Sequence, residues 1–347
     1  MVPPTAATDY PPPANGGLPS EPRHARDART HTMYQASRQP NAMVAGQYLL
    51  TSVASRRTRS GDRFLKCRLE DSSGYLDAYA WECSESIDQV QAIQTPAPVQ
   101  AVFRTRELNG CIIGDRLLLY VVGESDIANA TRLLPVSSCP ECARPALRAL
   151  IEWTDSITSP ILLRFLNRVL LDPRIGQPLL GCRASQHDHH CGQGGLLVHS
   201  MEVLEISASM ARQRLSKLEL EIVEVAALLH DIGKLRAVGS DRVRPVHCKL
   251  VRHETQSNRL LEPHLEWLRA LDPDITAILD YTFDFLSQPC ATRGYARFVG
   301  PEIICYADRL SAALAKPRRM VDLLRQTMPR RPSRFSHLSS RLTTSGH

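Results

Sequence analysis

Eight of the twelve histidines in this chain lie between residues 187 and 264. Three segments of that half interrupt an apolar run with groups able to hold a cation: GGLLVHS (194–200), LLHDIGK (228–234) and YADRLSA (306–312). His199, His230, Asp231 and Asp308 together offer two imidazoles and two carboxylates, a mixed nitrogen and oxygen set suited to a divalent ion such as Mn²⁺, Fe²⁺, Mg²⁺ or Zn²⁺. Burying such groups is costly unless something binds them. A lone His on a helix is ordinarily a satisfied core or surface residue. A His-Asp pair ending an apolar helix, with His199 before it and Asp308 after it, is read as a metal centre instead. Neighbours on a helix point ~100° apart, so His230 and Asp231 can share an ion only at a helix end, and Gly233 is read as supplying that end.

Helices must carry these groups. From about Arg144 apolar residues recur at i, i+3, i+4 in ALRALIEWTDSI and SPILLRFLNRVLLD. Further helices are predicted over about 196–214, 218–231, 251–270, 273–286 and 301–315. The preceding stretch is β-rich: Gln47–Ser55, Phe64–Glu70, Tyr75–Trp81, Val99–Arg106 and Cys111–Val122, with DSSG (71–74) and Asn109-Gly110 as turns, the latter a type I′ hairpin signal. The expected fold is therefore α+β in two domains, an N-terminal five-stranded OB-like β-barrel and a C-terminal all-α domain. The expected boundaries are a disordered arm 1–40, the barrel 41–125, a linker 126–150, the helical domain 151–325 and a basic disordered tail 326–347.

GGLLVHS…LLHDIGK…YADRL resembles the HD-domain metal-dependent phosphohydrolase superfamily over roughly residues 185–315. The resemblance implies the metal ligands His199, His230, Asp231 and Asp308, with Lys234 facing a substrate phosphate. An OB-like barrel followed by ASQHDHHCGQGGLLVHS resembles YhaM-type 3′-5′ exoribonucleases, which places His189 and His190 beside the metal. A TraI-type relaxase module carries a similar run without the barrel. Two-metal relatives have a further His, for which His253 is the candidate, and then a His-His pair. ILDYTFDFL (278–286) has no His, so a mononuclear or weakened site is implied. Phosphodiester hydrolysis then follows: the ion acts as Lewis acid and activates water, Asp231 orients that water, and Lys234, His190 and His253 stabilise phosphate charge.

Strand alternation puts Leu65, Cys67, Leu69, Leu76, Ala78 and Ala80 on an aliphatic, inward barrel face. Phe64, Lys66, Arg68, Tyr75, Tyr79 and Trp81 fall on the other, a mixture of rings and cations suited to stacking unpaired bases while tracking phosphates. Arg56, Arg57 and Arg59 in RRTRSGD (56–62) extend that track. A shifted register would instead bury Tyr79 and Trp81 as core.

The formal net charge is +6, and seven Arg against one acidic residue follow Pro317. No apolar run reaches the ~20 residues that span a bilayer, so no membrane partner is expected. The first residues lack a basic start and apolar core, and ten Cys without regular spacing suit a reducing compartment, so the expected location is the cytoplasm. Cys139-Pro-Glu-Cys142 is a single pair and is read as linker. The reading is a metal-dependent phosphodiesterase acting on single-stranded RNA or DNA, a 3′-5′ exonuclease by resemblance, with homo-oligomerisation left open. The alternatives are a nucleic-acid-binding protein with a degenerate HD site, serving DNA transfer or replication, and a nucleotide phosphohydrolase.

Overall fold

A computed structural model describes residues 29–81, 87–186, 190–240, 250–289 and 291–314. The expected arm up to residue 28, His189 and the basic tail lie outside the described residues. Among the described residues there are six strands, β1 (Arg29–Thr30), β2 (Met43–Arg57), β3 (Arg63–Glu70), β4 (Tyr75–Trp81), β5 (Ala97–Leu108) and β6 (Cys111–Val121). β2 pairs with β5 through Met43–Leu50 and with β3 through Leu49–Arg57. A register shift between Leu50 and Ser52 lets this one strand turn the corner. β4 meets β6 in parallel at Ala78 and Gly114, where a Cβ on residue 114 would sit 2.7 Å from that of Ala78. The order β2-β3-β4-β6-β5 thus closes on β2 into a five-stranded barrel of OB type.

The alternation read from the sequence holds on the inside. Leu65, Cys67, Leu69, Leu76, Ala78 and Ala80 are buried with Tyr48 and Phe103. Asn109 and Gly110 both have positive φ, 50° and 76°, as a type I′ turn requires. Part of the expected arm departs from expectation. β1 adds to β2 in parallel, and the one-turn helix α1 (Met33–Ala36) buries Met33 completely in the barrel core. Asp71 accepts the Met33 N–H at 2.8 Å and Thr32 with Gln35 forms a capping box, which together satisfy the start of this short turn.

After α2 (Ile87–Ala92) and the β5–β6 hairpin, the helices are α3 (Arg144–Asp155), α4 (Pro160–Leu171), α5 (Gly176–Gly181), α6 (Gly195–Ala211), α7 (Lys217–Leu229), α8 (Lys234–Ala237), α9 (His253–Arg269), α10 (Pro273–Ser287) and α11 (Val299–Leu314). α7 is central: every residue from Leu220 to Leu229 is buried. Its N-terminus carries a Ser216/Glu219 capping box. None of the described helices is long and apolar enough to cross a membrane.

The stretch read as a linker, 126–150, packs instead. Its 3₁₀ turns bury Ile127, Ala130, Leu133, Leu134, Cys139 and Ala143 in the helical core. Asn167 of α4 accepts the Ala130 N–H at 2.8 Å and donates to Ile127 O at 2.9 Å. The same stretch bonds the barrel, with Ser72 N donating to Arg132 O and Val136 N to Asp71 O. Apolar residues set in Pro-containing turns have no helix or strand period, so the pattern could not separate them from a free connection.

Candidate metal centre

His199 lies in the second turn of α6. That helix opens at Gly194, which is left-handed with φ 76°. A Cβ at Gly195 would fall 1.9 Å from His190 O, so only glycine lets the preceding loop fold against the helix start and bring His190 beside His199. The two rings are 5.7 Å apart, and His190 itself has φ 54°. α7 ends at Leu229, and the chain runs on from His230 through tight turns into α8. Gly233 follows the end of α7 as expected, with a right-handed φ of −63°. Its need is space, because a Cβ there would lie 1.8 Å from His253 O and 2.4 Å from Ser257 N. The first turns of α9 rest on the His-Asp turn at this point. Gly233 N donates to Ser257 Oγ at 2.8 Å, and that hydroxyl donates to His230 O at 3.2 Å.

The four sequence-predicted ligands converge. His199, His230, Asp231 and Asp308 each present one ligand atom, all within 4.8 Å of one another. His199 Nε2 lies 3.3 Å from Asp231 Oδ2 and 3.2 Å from Asp308 Oδ1. His230 Nε2 lies 3.2 Å from Asp231 Oδ2 and 3.9 Å from Asp308 Oδ1. Ligand bonds of ~2 Å place the ligands of one ion at such separations from each other. His230 Nδ1 is 2.7 Å from Ala227 O, a carbonyl that can only accept, so this nitrogen carries a proton and Nε2 faces the centre. His230 Nε2 is buried and makes no hydrogen bond of acceptable geometry. A divalent ion fits this donor set and satisfies that atom.

Charge points the same way. Burial disfavours a charged His230, yet Asp231 and Asp308 outweigh it and push the imidazole up to about 10. Burial likewise opposes ionised Asp231 and Asp308, and the imidazoles, with Lys234 beside Asp231, hold both carboxyls below the usual carboxylate range. A pocket that holds a proton this firmly also favours a cation in its place. Asp231 and His199 form its buried floor, whereas Asp308 and His253 are 45 % and 34 % exposed and mark its open side.

The remaining expected residues divide. His253 Nε2 lies 3.0 Å from Asp231 Oδ1, at the mouth. Lys234, expected to face a substrate phosphate, has its Nζ against Asp231 Oδ2 at 2.5 Å. The spacing of residues 231 and 234, one helical turn, makes that inward ion pair the nearer partner. His190 Nε2 meets Glu202 Oε2 at 3.0 Å. Glu202 also accepts from Ser311 Oγ, which in turn lies 3.1 Å from His199 Nδ1. Sequence reasoning missed Glu202 and Ser311. The available signal was their position three residues after His199 and Asp308, on the same helix faces.

On the barrel the expected face is only partly open. Phe64 and Trp81 are 2 % and 6 % exposed and pack with Ile113 of β6 in a small outer cluster. Trp81 Nε1 donates to Asp115 Oδ1 at 2.9 Å. These two rings are therefore withdrawn from the base-stacking surface, because Ile113 of the neighbouring β6, with Leu108 of β5, packs against them on the same face. Tyr79 is half-buried against Phe64, with ring centroids 5.9 Å apart. Lys66 and Arg68 both pair with Asp77, at 2.8 and 2.9 Å. Tyr75 is 52 % exposed beneath the Arg68 guanidinium, 4.6 Å from it. Arg56, Arg57 and Arg59 are exposed.

Two imidazoles and two carboxylates drawn to one point by three helical segments answer to the H…HD…D pattern, and the HD domain family model matches residues 196–313. Beyond the family, the chain is 22 % identical over 189 residues to the 3′-5′ exoribonuclease YhaM of Bacillus pumilus, covering 54 % of this chain and 58 % of that protein. It is 23 % identical over 191 residues to the 3′-5′ exoribonuclease YhaM of Bacillus subtilis, covering 55 % and 59 %. The match thus spans less than two thirds of either relative's length.

Proposed function

We propose that the protein is a metal-dependent phosphodiesterase that hydrolyses single-stranded nucleic acid. The observation that carries this reading is the buried convergence of His199, His230, Asp231 and Asp308 within 4.8 Å, with His230 Nε2 directed into it, 3.2 Å from Asp231 Oδ2. A bound divalent ion would supply a Lewis acid at the phosphoryl oxygens and an activated water at neutral pH. His199, His230, Asp231 and Asp308 would hold it. Lys234 keeps Asp231 ionised in its buried position. His253, at the open side and in contact with Asp231, is the group able to meet a phosphoryl oxygen or deliver a proton to the leaving alkoxide. Single strands would reach the site across the exposed part of the barrel, Arg56, Arg57 and Arg59 with Tyr75 and Arg68. The finer assignment, 3′-5′ exonuclease action on RNA, takes its support from the names of the two Bacillus relatives.

Incubation of the full chain with end-labelled single-stranded RNA and DNA and Mn²⁺ tests this reading. A ladder that His230→Ala/Asp231→Ala abolishes is the expected result, with label position reporting polarity. Binding without cleavage by the unaltered chain would instead indicate a degenerate site, and turnover of free nucleotides alone a nucleotide phosphohydrolase.

A further inference from the structure

Behind the metal centre runs a chain of polar groups whose directions are fixed by what each can donate. The Glu202 carboxylate only accepts. Ser311 Oγ, 2.8 Å away, must therefore give it its proton. The Ser311 oxygen then accepts from His199 Nδ1–H at 3.1 Å, leaving His199 Nε2 as the lone pair that faces Asp231 and Asp308. His190 Nε2 reaches the same carboxylate oxygen at 3.0 Å from the loop that precedes α6. Ser311 and His199 are fully buried, while Glu202 is 40 % exposed at the outer end.

We propose that Ser311 and Glu202 are positioning residues for the metal centre, a serine-relayed carboxylate that fixes the His199 tautomer and raises the basicity of its Nε2. His190 belongs to the same chain. Its Nε2 braces Glu202, so it acts on the ion at three removes, through Glu202, Ser311 and His199, rather than on a phosphate. Direct carboxylate–imidazole pairs do this work in many metal sites; here a hydroxyl spans the gap because α11 brings residue 311 between the Glu202 carboxylate and the His199 ring, both carried by α6. His230 has its own brace in Ala227 O, so the two imidazoles are held independently and the relay governs His199 alone.

The inference rests on the metal-centre reading above, and its test separates the two. Mn²⁺ is titrated by calorimetry into metal-stripped full-length protein, with melting temperature in EDTA as the check on folding. The unaltered chain should bind one ion, and His199→Ala/His230→Ala none. Ser311→Ala should weaken binding by ~10–100-fold with an unchanged melting temperature in EDTA. Glu202→Gln should weaken it less, and Ser311→Ala/Glu202→Gln should bind within twofold of Ser311→Ala alone, since the carboxylate acts through the hydroxyl. Wild-type affinity in Ser311→Ala, or losses that multiply in the double variant, would overturn the relay while leaving the metal centre standing. If Ser311→Ala does not fold, Glu202→Gln at the exposed end decides: weakened binding at unchanged melting temperature supports the relay, and wild-type affinity overturns it. An unaltered chain that binds no Mn²⁺ overturns the centre and the relay with it.

Discussion

His230 donates its Nδ1 proton to Ala227 O at 2.7 Å, and that one hydrogen bond decides which ring nitrogen faces the carboxylates. The four converging groups were legible in the sequence because each breaks an apolar helix with a side chain too costly to bury unpaired. Glu202 and Ser311 were not, since an acidic residue and a serine on a helix are commonplace and their contact spans 109 residues of chain. On the barrel the same scale produced an error. Alternation assigned Phe64 and Trp81 correctly to the outer face, but Ile113 of β6 covers them there. Two substitutions separate the roles. Trp81→Ala should destabilise the barrel by about 3 kcal/mol, read as a lower denaturation midpoint. Tyr75→Ala, at a half-exposed ring, should leave that midpoint within ~0.5 kcal/mol and weaken single-strand binding severalfold. Equal stability losses for both would place Tyr75 in the fold rather than on the binding surface.

Element by element, the helices and strands follow their periods closely, and the differences fall where packing overrides local signal. Gly233 does follow the end of α7, but its backbone is right-handed and the space a Cβ would take is occupied by α9. The cause lies in a contact with His253 and Ser257, twenty and twenty-four residues onward, which no local pattern reports. Gly233→Ala should therefore push α9 away from the His-Asp turn. The expected cost is about 1–3 kcal/mol, together with weaker Mn²⁺ binding as the Ser257 bridge to His230 O is lost. A variant with unchanged stability and unchanged metal affinity would mean that α9 does not seat on this turn.

For the whole molecule, the turns between barrel and helices make one packed body out of what reads as two domains and a linker. Glu70 takes part from the barrel side, accepting from Thr51 at 2.8 Å and from Ser137. Elsewhere in the helical domain, at the end of α4, His264 of α9 meets Asp172 at 3.1 Å. Burial, reinforced by Arg168 and Arg174, outweighs the Asp172 attraction and holds His264 below its usual value. Its Nδ1 is buried with no hydrogen-bond partner, so a proton there would go unsatisfied. A depressed imidazole contributes stability that is present above the ordinary His range, near 6.5, and is lost as pH falls through the lower folded value. Melting temperature in EDTA should thus drop between about pH 7 and pH 5, and the drop should shrink in His264→Gln. A profile identical in the two proteins would exclude His264 as its source.

One measurement reaches the centre of these conclusions: the anomalous difference map of a crystal grown with Mn²⁺. A single peak ~2.0–2.3 Å from His199 Nε2, His230 Nε2 and one oxygen each of Asp231 and Asp308 is the predicted result. Well-diffracting crystals with no peak among those four groups, or with Mn²⁺ bound only elsewhere, would contradict it.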